Sequence, residues 1–162
     1  MLEAGHHVLF ADLDAIFLKP VAPLLARGDI IGERIWGRPS FVRKKWGAGI
    51  CTGFYYLRSS AATVAIFRRT HELIAHKRRR QPKWQASDQW AINHAVDDEK
   101  VVWASGRRMA DMSNFTAKYY DYAPHVGRTS RTRVTFVVLP HAHVPRSCPI
   151  LKVGLGRSVA SP

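Results

Sequence analysis

The residues best suited to chemistry begin with Asp12-Leu13-Asp14, which closes the apolar run Val8-Leu9-Phe10-Ala11. Four apolar residues followed by paired acids predict a buried central strand that ends at the rim of a sheet. Residues two apart in an extended segment point the same way, so both carboxylates face one crevice. In open α/β sheets, ligands bind in the crevice beyond the carboxyl ends of the strands. Paired carboxylates there suit a hard divalent cation that bridges protein oxygens and substrate phosphates. The plainer alternative is a polar turn after a strand, with Asp capping the next element.

Three further groups carry chemistry. Gly53, inside the aromatic segment Thr52-Gly53-Phe54-Tyr55-Tyr56, marks either a close approach of backbone to ligand or a bulge in a core strand. Asp88 follows Ser87 in the first turn of a helix, where capping or the helix dipole alone would account for it. Gln89 and Asn93 are four apart and share a helix face. His141 and His143 alternate along an extended segment and form a weaker pair of candidate ligands, since loop histidines need no metal. Cys51 and Cys148 have neither metal spacing nor a disulfide framework, and each reads as a small buried residue.

The elements that must position these groups alternate between strand and helix. Residues 6–11 form a strand, and Pro20 and Pro23 forbid a long helix directly after it. Asp29-Ile30-Ile31 is a short strand, and the glycine-rich, basic stretch 32–49 is an aperiodic loop. A second strand covers 50–58. Ser59-Ser60 caps a helix whose apolar positions Val64, Phe67, Leu73 and Ile74 fall broadly on one face; it runs to about Lys77, with a break marked by Pro82. Ser87 caps another helix, to about Val96. Strands follow at 101–103 and 134–139, with a polar irregular stretch between them. The expected organisation is one α/β domain over 1–150 and a poorly ordered tail over 151–162.

With 162 residues and a 46% hydrophobic content, the chain can bury a real core. No apolar stretch reaches the roughly 20 residues that a membrane-spanning helix needs, and the first residues lack a signal-peptide layout. The net charge of +13 predicts affinity for polyanions. Its densest run, His76-Lys77-Arg78-Arg79-Arg80, is either a nucleic-acid patch or a solvated helix end complementing the macrodipole. No nucleic-acid module's aromatic or glycine pattern surrounds it, which favours the helix end and makes nucleic acid an unlikely partner.

The segment from Gly5 to Pro20, centred on Asp12-Leu13-Asp14, resembles the Asp-x-Asp segment of nucleotide-diphospho-sugar transferases. These are glycosyltransferases of the GT-A fold, in the group of plant and algal arabinosyl- and xylosyltransferases. Thr52-Gly53-Phe54-Tyr55-Tyr56-Leu57-Arg58-Ser59 is similar to the family's glycine-aromatic strand, and Asp88-Gln89-Trp90-Ala91-Ile92-Asn93 to its Asp-Gln helix. Order and approximate spacing agree over residues 2–96, and three elements in sequence are far more specific than a lone Asp-x-Asp. The resemblance implies a GT-A-like, Rossmann-related mixed sheet flanked by helices. It implies Asp12 and Asp14 as ligands of Mn²⁺ or Mg²⁺, with Asp12 also on the donor diphosphate. It further implies Gly53 close to the ligand, Asp88 as the carboxylate near the reacting carbon, and Gln89 and Asn93 as amides for sugar hydroxyls. The implied partners are a nucleoside-diphosphate-sugar donor and a glycan or glycoprotein acceptor. The implied setting is the Golgi lumen as a type II membrane protein, with membrane contact only through a segment absent from this chain. Asn114-Phe115-Thr116 is a glycosylation sequon compatible with that lumen.

The chain departs from the family pattern in several places. Cys51 stands where an Asn usually precedes the Thr-Gly pair. Leu139-Pro140 echoes a later element, but Val144 and Ser147 replace its phenylalanine and glycine, and no closing His-Asn region is recognisable. With the strand and helix for the base also missing, the chain reads as the central part of a transferase domain, incomplete at both ends. Such a fragment need not be active alone. Two rival readings follow from the same residues. A haloacid-dehalogenase-type phosphohydrolase would use Asp12 as nucleophile, Asp14 as acid/base and Asp97-Asp98 as metal ligands, but Ile16 and the helical setting of Asp97 fit it poorly. A basic RNA- or glycan-binding module is the non-enzymatic alternative, which steeply salt-dependent binding to nucleic acid without metal or nucleotide-sugar binding would favour.

Overall fold

The computed structural model describes residues 1–13, 15, 20–35, 39–47, 49–81, 87–104 and 124–139. A six-stranded mixed sheet organises them: β1 Val8–Ala11, β2 Ile30–Ile35, β3 Gly49–Leu57, β4 Val101–Trp103, β5 His125–Thr129 and β6 Thr135–Leu139, in the order β1-β3-β2-β6-β5-β4. β3 runs antiparallel to both β1 and β2, and β6 is parallel to β2. The carboxyl ends of β1, β2 and β6 therefore lie at the same rim.

Helices α1 Ala22–Leu25, α2 Ser40–Trp46, α3 Ala61–Arg80 and α4 Asp88–Asp98 complete the order. One core lies between the sheet and helices α2, α3 and α4, built on Ile50, Leu57, Ile66, Ile92 and Phe136. A smaller core on the other face joins Leu24 of α1 to Ile31, Phe54, Tyr56 and Val137. Both long helices start where expected, for the expected reason. Ser60 Oγ accepts from Thr63 N at 3.1 Å, and Ser87 Oγ from Trp90 N at 3.4 Å. α3 continues through the basic run, whose Lys77, Arg78, Arg79 and Arg80 occupy its last turn. There they complement the negative end of the macrodipole, as the solvated-helix-end reading required.

Three expectations are corrected. β1 is not a buried central strand: it lies at the edge of the sheet, with Leu9 48% and Phe10 41% exposed. An uninterrupted apolar run resembles a buried strand, yet here Val8 packs on the core while Phe10 stacks on Tyr55 at its margin. The stretch 32–49 is not all loop. β2 continues to Ile35, and α2 buries Val42 and Trp46, four residues apart, against the sheet. The stretch before residue 134 is not wholly irregular, because β5 pairs with both β4 and β6. The expected tail, Asn114, His141, His143 and Cys148 lie outside the described residues; Cys51 is buried, as expected.

One irregularity positions the site. Tyr55 pairs with Gly32 of β2, but the next pair is Cys51 with Glu33, so Thr52, Gly53 and Phe54 have no counterpart on β2. This bulge breaks the two-residue alternation of side chains. Ile50 and Tyr55, five apart, consequently both face the helical layer, while Phe54 and Tyr56 face α1. Thr52 also reaches that layer, where its hydroxyl meets α4.

Candidate functional site

Asp12 follows β1 directly and is half-buried. Its backbone N donates to Gly53 O at 2.7 Å, extending the β1–β3 ladder by one pair, and its carbonyl accepts from Ala15 N at 3.0 Å. The chain thus turns at the rim, with Asp12 on the same face of β1 as Phe10 and Val8. Gly53 sits beside Asp12 within the bulge of β3, so the structure shows a bulge there and places it next to the acid.

Asp88 reaches this region from the start of α4. Its Oδ1 accepts from Gln89 N at 2.7 Å and from Thr52 Oγ1 at 3.0 Å. The carboxylate is therefore both a helix-terminal acceptor and a group fixed to β3. Tyr55 lies within electrostatic reach of both acids. Burial, then the negative charge of Asp88, then that of Asp12, push its phenol above its ordinary pKa. Tyr55 stacks on Phe10 with ring centroids 5.1 Å apart and leans on Phe67 of α3 at 6.5 Å. A small cavity of about 40 Å³ behind it is lined by Thr52, Tyr55, Thr70, His71, Asp88 and Ile92, among others.

Asn93 holds α4 in place. It is fully buried, its Oδ1 accepts from Ile50 N at 2.9 Å, and its Nδ2 donates to Ile50 O at 2.9 Å and Gln89 O at 2.7 Å. A Cβ at Gly49 would lie 3.0 Å from Asn93 Oδ1 and 2.9 Å from Val42, so glycine there permits the close approach. The amide expected to meet a sugar is thus fully engaged with β3 and its own helix. Gln89 is half-buried one turn earlier.

The structure brings together Asp12, Gly53 and Asp88, and adds Thr52 and Tyr55, to which the sequence reading assigned no role. Asp14 lies outside the described residues. Among the described residues no group of three or more His, Cys, Asp or Glu side chains could hold a metal ion. Asp12 and Asp88 nonetheless supply hard oxygen donors. One or two carboxylates suffice for an ion that takes its remaining ligands from water and substrate phosphates.

A sequence model of the nucleotide-diphospho-sugar transferases matches residues 1–147. The chain belongs to that family. No curated protein and no solved structure matches this transferase-family chain. Membership implies glycosyl transfer and a nucleotide-sugar donor. The six-stranded mixed sheet with its helices is consistent with a GT-A-type domain. The match extends well past the three elements within 2–96 that resembled the family in sequence. It also displaces the phosphohydrolase reading. The acids that reading needed as metal ligands lie at the far end of α4, about 15 Å from Asp88 along the helix. There Asp97 pairs with Lys45 and Asp98 with Arg69.

Proposed function

We propose that this site transfers a sugar from a nucleoside diphosphate to an acceptor hydroxyl on a glycan or glycoprotein, with a divalent cation, Mn²⁺ or Mg²⁺, held by Asp12 and Asp14. The observation that carries the reading is that adjacent residues of β3 hold both acids, Gly53 bonding to Asp12 and Thr52 to Asp88, in a transferase-family domain. When bound, the cation neutralises charge developing on the leaving diphosphate. The remaining work falls to the chain's own groups. Asp88, oriented by Thr52 and by the Gln89 amide, is the carboxylate beside the reacting carbon, where it would stabilise positive charge developing on the sugar ring. Gly53 keeps the backbone beside Asp12 free of a side chain. Gln89 contributes a sugar contact, whereas Asn93 serves as the brace that fixes α4 against β3. The family's usual setting, the Golgi lumen, is the setting we infer.

Calorimetry with Mn²⁺ and UDP tests the assignment. Asp12→Asn and Asp14→Asn should each abolish Mn²⁺-dependent UDP binding while leaving the melting temperature near that of the parent chain. Retained metal-dependent binding in both variants would count decisively against it.

A further inference from the structure

We propose that Tyr55 is a ligand-contacting residue, its phenolic hydroxyl donating a hydrogen bond to the transferred sugar of the bound nucleotide sugar. The inference rests on the transferase reading of the site. The bulge at Thr52–Phe54 turns Tyr55 into the helical layer, on the same side as Thr52. Its ring is fixed by Phe10 on one side and Phe67 on the other. Its hydroxyl has no hydrogen-bond partner among the described residues, while Tyr55 lines one small cavity with Thr52 and Asp88 and its ring stacks on Phe10, two residues before Asp12.

The chemistry of the neighbours gives that hydroxyl its use. Ionised carboxylates only accept hydrogen bonds, so Asp12 and Asp88 can hold a cation or accept from sugar hydroxyls, but neither can donate to a sugar oxygen. Tyr55 supplies the missing donor between the diphosphate end at Asp12 and the sugar end at Asp88. A phenol, whose ordinary pKa is about 10, keeps that proton near neutral pH. A site built around such a donor favours the ligand that carries the matching oxygen over one that lacks it.

The test is Tyr55→Phe, which keeps both ring contacts and removes only the oxygen. Affinities are measured with Mn²⁺ for UDP, GDP and a panel of UDP- and GDP-sugars. For the sugar nucleotide bound best, Tyr55→Phe should weaken binding roughly three- to tenfold, the effect of one neutral hydrogen bond. Binding of the matching nucleoside diphosphate should change less than twofold. Equal affinity of parent and variant for the sugar nucleotide would overturn the proposal. So would equal losses for sugar nucleotide and bare diphosphate, which would place the effect at the metal end or in the fold. A folded parent chain that binds no member of the panel would overturn the transferase reading itself, and this inference with it.

Discussion

Asn93 shows how a residue type can be legible while its task is not. Its place one helical turn from Gln89 was readable from spacing, and amides do bind sugars. The sequence cannot show that β3 comes within 2.9 Å and that both its N–H and C=O at Ile50 await partners. Buried backbone groups at a break in a ladder claim such an amide ahead of any ligand. Asn93→Ala should therefore cost about 3 kcal/mol in urea unfolding, because it strands two buried backbone groups and opens a cavity. A loss below about 1 kcal/mol would mean that water or a shift of α4 replaces the amide. Asp88 is the opposite case: its chemical suitability and its helix-start position were both readable, and only the Thr52 contact was not. Thr52 and Tyr55 escaped notice because strict alternation sends them to opposite faces of β3.

At the scale of elements, the helices announced themselves through Ser60 and Ser87, and the long strands through their apolar runs. α2 was hidden by the lysines and glycines around it, though Val42 and Trp46 already had helical spacing. β5 was hidden by its brevity and by Gly127. A Cβ there would come within 2.6 Å of Val101 and 2.8 Å of Trp103, so the residue that weakens the strand signal is the one that lets β4 close on β5. The packing of α2 on α4 has its own consequence. His94 lies between Phe41 and Trp90, with ring centroids 3.9 and 4.3 Å away. Burial lowers its pKa, Asp98 and Asp97 oppose that, and Lys45 and Lys77 reinforce it. The unfolded chain thus takes up this proton at higher pH than the folded one. The stabilisation is complete above about pH 6.5 and is lost as pH falls through the lower folded value. Thermal unfolding followed between pH 7.5 and 5 should show this decline, and His94→Gln should flatten it. An unchanged slope in the variant would assign the dependence to other groups.

Across the whole molecule the net charge is +13. Its densest run is the exposed end of α3, and several surface cations are paired, Arg68 with Glu3 and Arg69 with Asp98 and Glu72. Such exposed pairs contribute little to stability. The unpaired excess should nevertheless retain the protein on heparin at low salt and release it by about 0.5 M, where screening is nearly complete. Replacing Arg78, Arg79 and Arg80 with alanine should shift elution to lower salt and leave Mn²⁺-dependent UDP binding unchanged. A joint loss of both would tie the basic run to the site. Fold class was legible because strand and helix periods alternate along the chain. Sheet order was not, because nothing in the sequence of Val8–Ala11 reveals that it pairs on one side with β3 and, among the described residues, with no other strand.

The three supernumerary residues of β3 act as a frame between its two halves. Ile50 and Thr52 are committed to the helical side by their ties to α4, and Tyr55 and Leu57 by their packing beneath α3. Excising one residue from Thr52–Phe54 would leave those halves an even number of positions apart, so plain alternation alone would hold both on the helical side and the bulge would no longer be needed. The odd length of this segment is consequently a requirement of the rim, where Gly53 meets Asp12 and Thr52 meets Asp88, more than of the core, and a one-residue deletion there should disturb Mn²⁺-dependent UDP binding more than it disturbs folding.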